Sequence, residues 1–141
     1  MALYRLNDGV YAKDAGDSDD YLTDLVTPQL KAVMYFVEQE VYNHLSLDVV
    51  YTSIFRESSG SVHKYGRGAD VRIYHPDRGI PKLDYGAGIM PEHIKQLLAR
   101  LDSAFAPWVG LNHQVHHAGV AHGDGLDYHL HLQAPPGPWG A

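Results

Sequence analysis

At 141 residues, with 45 % hydrophobic and 20 % charged side chains, the chain is long enough for one domain with a sizeable core. A net charge of −6 with His neutral, and a pI near 5.9, argue against nucleic acid as partner, because phosphate-backbone binding needs clustered Lys and Arg. Cysteine is absent, which excludes disulfides and thiolate metal sites, so a transition metal would have to be held by carboxylate and by some of the ten histidines.

Met1 to Asp8 has neither the basic start nor the continuous apolar stretch of a signal peptide, and no window approaches the length of a membrane span. Cytoplasmic synthesis without membrane insertion is therefore expected. Leu3 to Leu6 is a short β-compatible piece. The acidic run Asp14-Ala-Gly-Asp-Ser-Asp-Asp20 reads as a solvated loop, since it lacks the spaced carboxylates ending in Glu that calcium loops carry. Thr27 is a good N-cap and Pro28 a good first helical residue. After them Leu30, Val33, Met34, Val37, Val41 and Leu45 recur at helical spacing, predicting one apolar face packed on a sheet.

Leu47 to Phe55 is rich in β-branched and aromatic residues and predicts a strand that delivers Arg56 and Glu57 to its end. Next comes Ser61-Val-His63-Lys-Tyr-Gly66-Arg67-Gly68-Ala-Asp70-Val-Arg72. Fully extended, residues 63 to 70 would span roughly 23 Å, whereas two ligands of one zinc must each reach within about 2 Å of it. The chain must fold back, and Gly66 and Gly68 permit a tight reversal. Ala69 to Tyr74 then alternates as a strand, holding Asp70 on a rigid element. Ser61 belongs to no nucleophile-elbow pattern, and Arg67 is expected to brace the loop.

Residues 75 to 90 read as a long loop lining a cleft. A second helix starts near Pro91, with Ile94, Leu97, Leu98, Leu101 and Phe105 on one face and His93 on the solvated side, and Pro107 stops it. Trp108 to Val115 and Leu126 to Ala134 read as strands, and 135–141 as a Pro/Gly tail. On the last strand, alternation puts Asp127, His129 and His131 on one face and Tyr128, Leu130 and Leu132 on the other. His113, His116, His117 and His122 read as polar surface near a hairpin, with His116 or His117 the choice if one enters the site. The whole predicts an α+β domain over 1–141: a small antiparallel sheet with two main helices, an N-terminal extension (1–26) and the tail. His63, Asp70 and a histidine of the His129-Leu-His131 pair form a three-ligand set that suits a catalytic zinc ion.

The pattern Ser-x-His-x-x-Gly-Arg-x-x-Asp with a late His-x-His resembles the D-alanyl-D-alanine metallopeptidases, whose fold and zinc site the hedgehog signalling domain shares; the likeness runs from about Leu47 to Gln133. It implies a zinc peptidase acting on peptidoglycan stem peptides, of the D-Ala-D-Ala carboxypeptidase or L-Ala-D-Glu endopeptidase type. It also implies zinc ligands His63, Asp70 and His131, with Arg56 at the substrate and His129 polarising it or stabilising the oxyanion; His129 and His131 could exchange roles. A general base is required as well. The family's acid spacing is not met, because Leu126 and Gly125 stand where an acid is usual, so Asp127 is the first candidate and Asp124 the second. That departure keeps open a zinc-binding or peptidoglycan-binding module without turnover, beside a structural phage protein. By analogy with phage lysins, release at lysis would bring such a protein to the cell wall.

Overall fold

The computed structural model describes residues 3–22, 26–45, 47–54, 67–74, 92–106, 119–122 and 129–134. In chain order these form β1 (Tyr4–Asn7), β2 (Val10–Ala12), α1 (Ala15–Leu22), α2 (Pro28–Glu40), a π-type turn (Val41–Leu45), β3 (Asp48–Ser53), β4 (Gly68–Tyr74), α3 (Glu92–Ala104), β5 (Gly119–His122) and β6 (His129–Gln133). The strands make one six-stranded sheet in the order β1-β2-β3-β4-β6-β5. Every neighbouring pair is antiparallel except β2 and β3, which run parallel. The α+β class stands, but the sheet is larger than expected and mixed, and three helices accompany it.

Within the expected N-terminal extension, β1 and β2 add two strands to the sheet and α1 supplies the third helix. The two-residue link Asp8-Gly9 closes a hairpin in which Gly9 takes φ 70°, a conformation glycine adopts at little cost. The carbonyl of Gly9 accepts from Val49 N at 2.9 Å, which seats β2 beside β3. The acidic run expected as a solvated loop is helix α1 instead. Asp14 caps it, its carboxylate accepting from Asp17 N at 2.8 Å and its carbonyl from Ser18 N at 3.0 Å. Asp17, 8 % exposed, accepts from Ile54 N at 3.1 Å and so ties the start of α1 to the end of β3.

Helix α2 begins as its sequence predicts: Thr27 Oγ1 accepts from Leu30 N at 3.2 Å, with Pro28 in the first turn. Leu30, Val33, Met34 and Val37 of α2 and Leu97 and Leu101 of α3 are buried against one face of the sheet, built from Val49, Tyr51, Ala69, Val71, Ile73, Leu130 and Leu132. Phe36 and Phe105 meet edge to face at 5.8 Å. The alternation expected along the last strand holds, with Leu130 and Leu132 buried and His129, His131 and Gln133 partly exposed. That leaves the opposite face of β4 and β6 for polar side chains. Among the described residues no helix is long and apolar enough to cross a membrane.

Candidate metal centre

Strands β4 and β6 carry the site because their register brings its side chains together. Asp70 of β4 stands opposite His131 of β6, and one step along the same ladder Val71 stands opposite Leu130, so His129 and His131 lie two residues apart on the polar face. In β5, Val120 pairs with His131 and His122 with His129. Arg67, just before β4, is fastened to the residue that follows β6: its Nε donates to Ala134 O at 2.9 Å, and its own carbonyl accepts from Ala134 N at 2.9 Å.

Asp70 is 8 % exposed, at the centre of the cluster. One of its oxygens, Oδ1, lies 3.1 Å from His131 Nδ1 and 3.7 Å from His129 Nε2. Donor atoms sharing a tetrahedral zinc with bonds of about 2.0–2.1 Å lie about 3.3 Å from one another, so both separations are close to what a shared ion needs. On its other side His131 meets Gln133: Nε2 is 3.1 Å from the amide oxygen Oε1. With Nε2–H donating to that oxygen, Nδ1 of a neutral ring presents a lone pair towards the carboxylate. Two acceptors at that distance require a proton or a cation between them. A ligating histidine commonly donates its second N–H to a neighbouring oxygen, and Gln133 is placed to accept it.

Of the residues the sequence singles out, the fold thus gathers Asp70, His129 and His131. His63, Arg56, Ser61, Asp124, Asp127, His93's side chain, His113, His116 and His117 lie outside the described residues, as do the expected loop at 75–90, the Trp108 to Val115 strand and the tail. Among the described residues no group of three His, Asp or Glu side chains forms a complete metal cage. The donor chemistry of Asp70 and His131 fits a metal ion, and a third ligand would have to come from elsewhere in the chain.

Two residues were missed that alternation alone could have found. Gln133 is two past His131 on the same strand, and Arg72 is two past Asp70, so each shares its neighbour's face. Arg72 Nε is buried and has no hydrogen-bond partner among the described residues, an uncommon condition for a guanidinium beside a polar cluster. No protein-family model and no curated protein matches the chain.

Proposed function

We propose that the protein is a zinc-dependent peptidase of the D-alanyl-D-alanine metallopeptidase type, with the hedgehog-like fold of that group, cleaving peptidoglycan peptides. The observation that carries this reading is the His131 Nδ1 to Asp70 Oδ1 approach of 3.1 Å, backed by Gln133 on the far side of the ring. Asp70 and His131 hold the ion with His63. His131 is preferred to His129 as ligand because it is nearer to the carboxylate and because its second nitrogen is engaged. When bound, zinc supplies Lewis acidity that polarises the scissile carbonyl and eases deprotonation of water.

The chain's own groups do the rest. Asp127 takes the proton of the attacking water, with Asp124 as the alternative base. His129, beside Asp70 and closer to solvent than His131, donates to the oxygen on which negative charge develops. Arg56 binds the substrate's carboxylate through its planar fork of donors. The face opposite the helices gives Asp70, His129 and His131 a rigid floor, because β4 and β6 are fixed from behind by the core.

Elemental analysis of the wild type beside His63→Ala and Asp70→Asn tests the reading. About one zinc per wild-type chain, lost in both variants, supports it. No zinc in the wild type, even after incubation with excess metal, removes it. Release of amino acids or peptides from purified peptidoglycan by the wild type and not by Asp127→Ala then separates a peptidase from a module that holds metal without turnover. The latter is the second reading, favoured by Leu126 and Gly125 at the positions where an acid is usual.

A further inference from the structure

On the helical side of the sheet, away from the polar face of β4 and β6, α1 and α2 leave a cleft of about 340 Å³ lined by Tyr21, Leu22, Lys31, Met34, Tyr35 and Glu38. The volume lies at the small end of the range for ligand sites. Four of these residues, Lys31, Met34, Tyr35 and Glu38, follow one another at helical spacing and form a stripe along α2. Leu22 and Tyr35 are 69 % and 62 % exposed, which is unusual for an apolar and an aromatic side chain so close together.

Glu38 is only 5 % exposed, yet it lines this cleft. Its carboxylate accepts from Tyr51 Oη at 2.6 Å through Oε2, and from Tyr21 Oη at 3.2 Å through each oxygen. No cation pairs with it among the described residues, and Lys31 lines the same cleft without bonding to it. A buried carboxylate is ordinarily paired, so Glu38 is an acid in want of a positive partner. Burial pushes its carboxyl above the ordinary value, against the two tyrosine hydroxyls that pull it down. The walls also suit a cation, since Tyr21 and Tyr35 present aromatic rings while Met34 and Leu22 offer apolar contact to a stem.

We infer that this cleft binds an aliphatic ammonium group, with Glu38 as its counter-charge, the rings of Tyr21 and Tyr35 beside the cation, and Met34 and Leu22 against its stem. An ammonium is favoured over a guanidinium because hydroxyls already occupy part of both carboxylate oxygens. The side-on approach of a planar fork is thereby obstructed, whereas a compact donor needs one remaining lone pair. Lys31 at the cleft opposes a second cation and sets the affinity low.

The test is an NMR titration of the full chain with pentylamine hydrochloride, with pentan-1-ol as the uncharged control. Saturable shifts centred on Tyr21, Met34 and Tyr35, at least about tenfold tighter for the amine than for the alcohol, are expected. Glu38→Gln, which keeps an oxygen for Tyr51, should weaken amine binding by about tenfold or more, and Lys31→Met should tighten it. Equal affinity for amine and alcohol, or unchanged amine affinity in folded Glu38→Gln, overturns the inference. Should Glu38→Gln fail to fold, the surface variants Lys31→Met and Tyr35→Ala decide: amine affinity unmoved in both overturns it, and tightening in the first with weakening in the second supports it. A parallel titration with N-acetyl-lysine methylamide identifies the source. Binding equal to pentylamine points to a peptide side chain, and binding of pentylamine alone points to a free amine.

Discussion

Asp17 shows how one side chain can serve the fold and burden it at once. Its carboxylate receives Ile54 N and so locks α1 to β3, but burial first, and the neighbouring Asp14 second, push its pKa from the model-compound value of 3.8 up to about 6. Because the folded value is the higher one, the native state binds more protons than the unfolded chain between those values. Stability from this group is therefore fullest below pH 4 and is lost as pH rises to about 6. Asp17→Asn retains an oxygen for Ile54 and removes the charge. It should raise the melting temperature at pH 7.5, by the equivalent of about 1–2 kcal/mol after allowance for partial solvent screening, and leave it nearly unchanged at pH 3. A gain of equal size at both pH values would refute the assignment. At the proposed centre, Gln133→Leu should weaken zinc retention by about 10–100-fold, measured by competition with a chelator, because it removes the partner of His131 Nε2.

Among the elements, the two helices with continuous apolar stripes and the strands at Asp48–Ser53 and Gly68–Tyr74 were legible in the sequence, since caps, periodicity and β-branched runs agreed there. The β1–β2 hairpin and α1 were not read beyond the β-compatible piece at Leu3 to Leu6, although this segment carried its own signals. Asp8-Gly9 is a hairpin dipeptide, and Asp14 with Asp17 three residues on marks a helix start; the density of acids and small residues concealed both. β5 is four residues long and has too little sequence to show a period. For the site, spacing identified Asp70 and the His129, His131 pair, because strand alternation is a strict geometric rule. The same rule puts Arg72 on the face of Asp70 and Gln133 on the face of His131, but only the β4 to β6 register brings Asp70 opposite His131. Gly9→Ala tests the hairpin: a Cβ there would sit 2.8 Å from Tyr42 Cδ2 and 3.0 Å from Asp48 Oδ1, at φ 70°. A loss of about 1–3 kcal/mol in chemical denaturation is expected. Thr27→Ala should cost about 1 kcal/mol through the lost cap on α2.

For the whole molecule, the sheet is held from one side by α2 and α3, while the proposed ion would join β4 to β6 from the other. An ion that binds only the native state stabilises it by about 2.7 kcal/mol at a hundredfold excess over its Kd. Chelation of zinc-loaded protein should therefore lower the melting temperature by several degrees, and the same chelator should leave Asp70→Asn unmoved. The pairing of Asp70 with His131 also closes across 61 residues. Contacts of such long range form late, after the entropy of loop closure has been overcome. A growing chain presents His63 and Asp70 well before His131 has been synthesised, so the proposed ion would be captured only once the sheet is finished. Nascent and half-folded chains would then hold no ion, and the proposed centre would be completed only with the last strand in place.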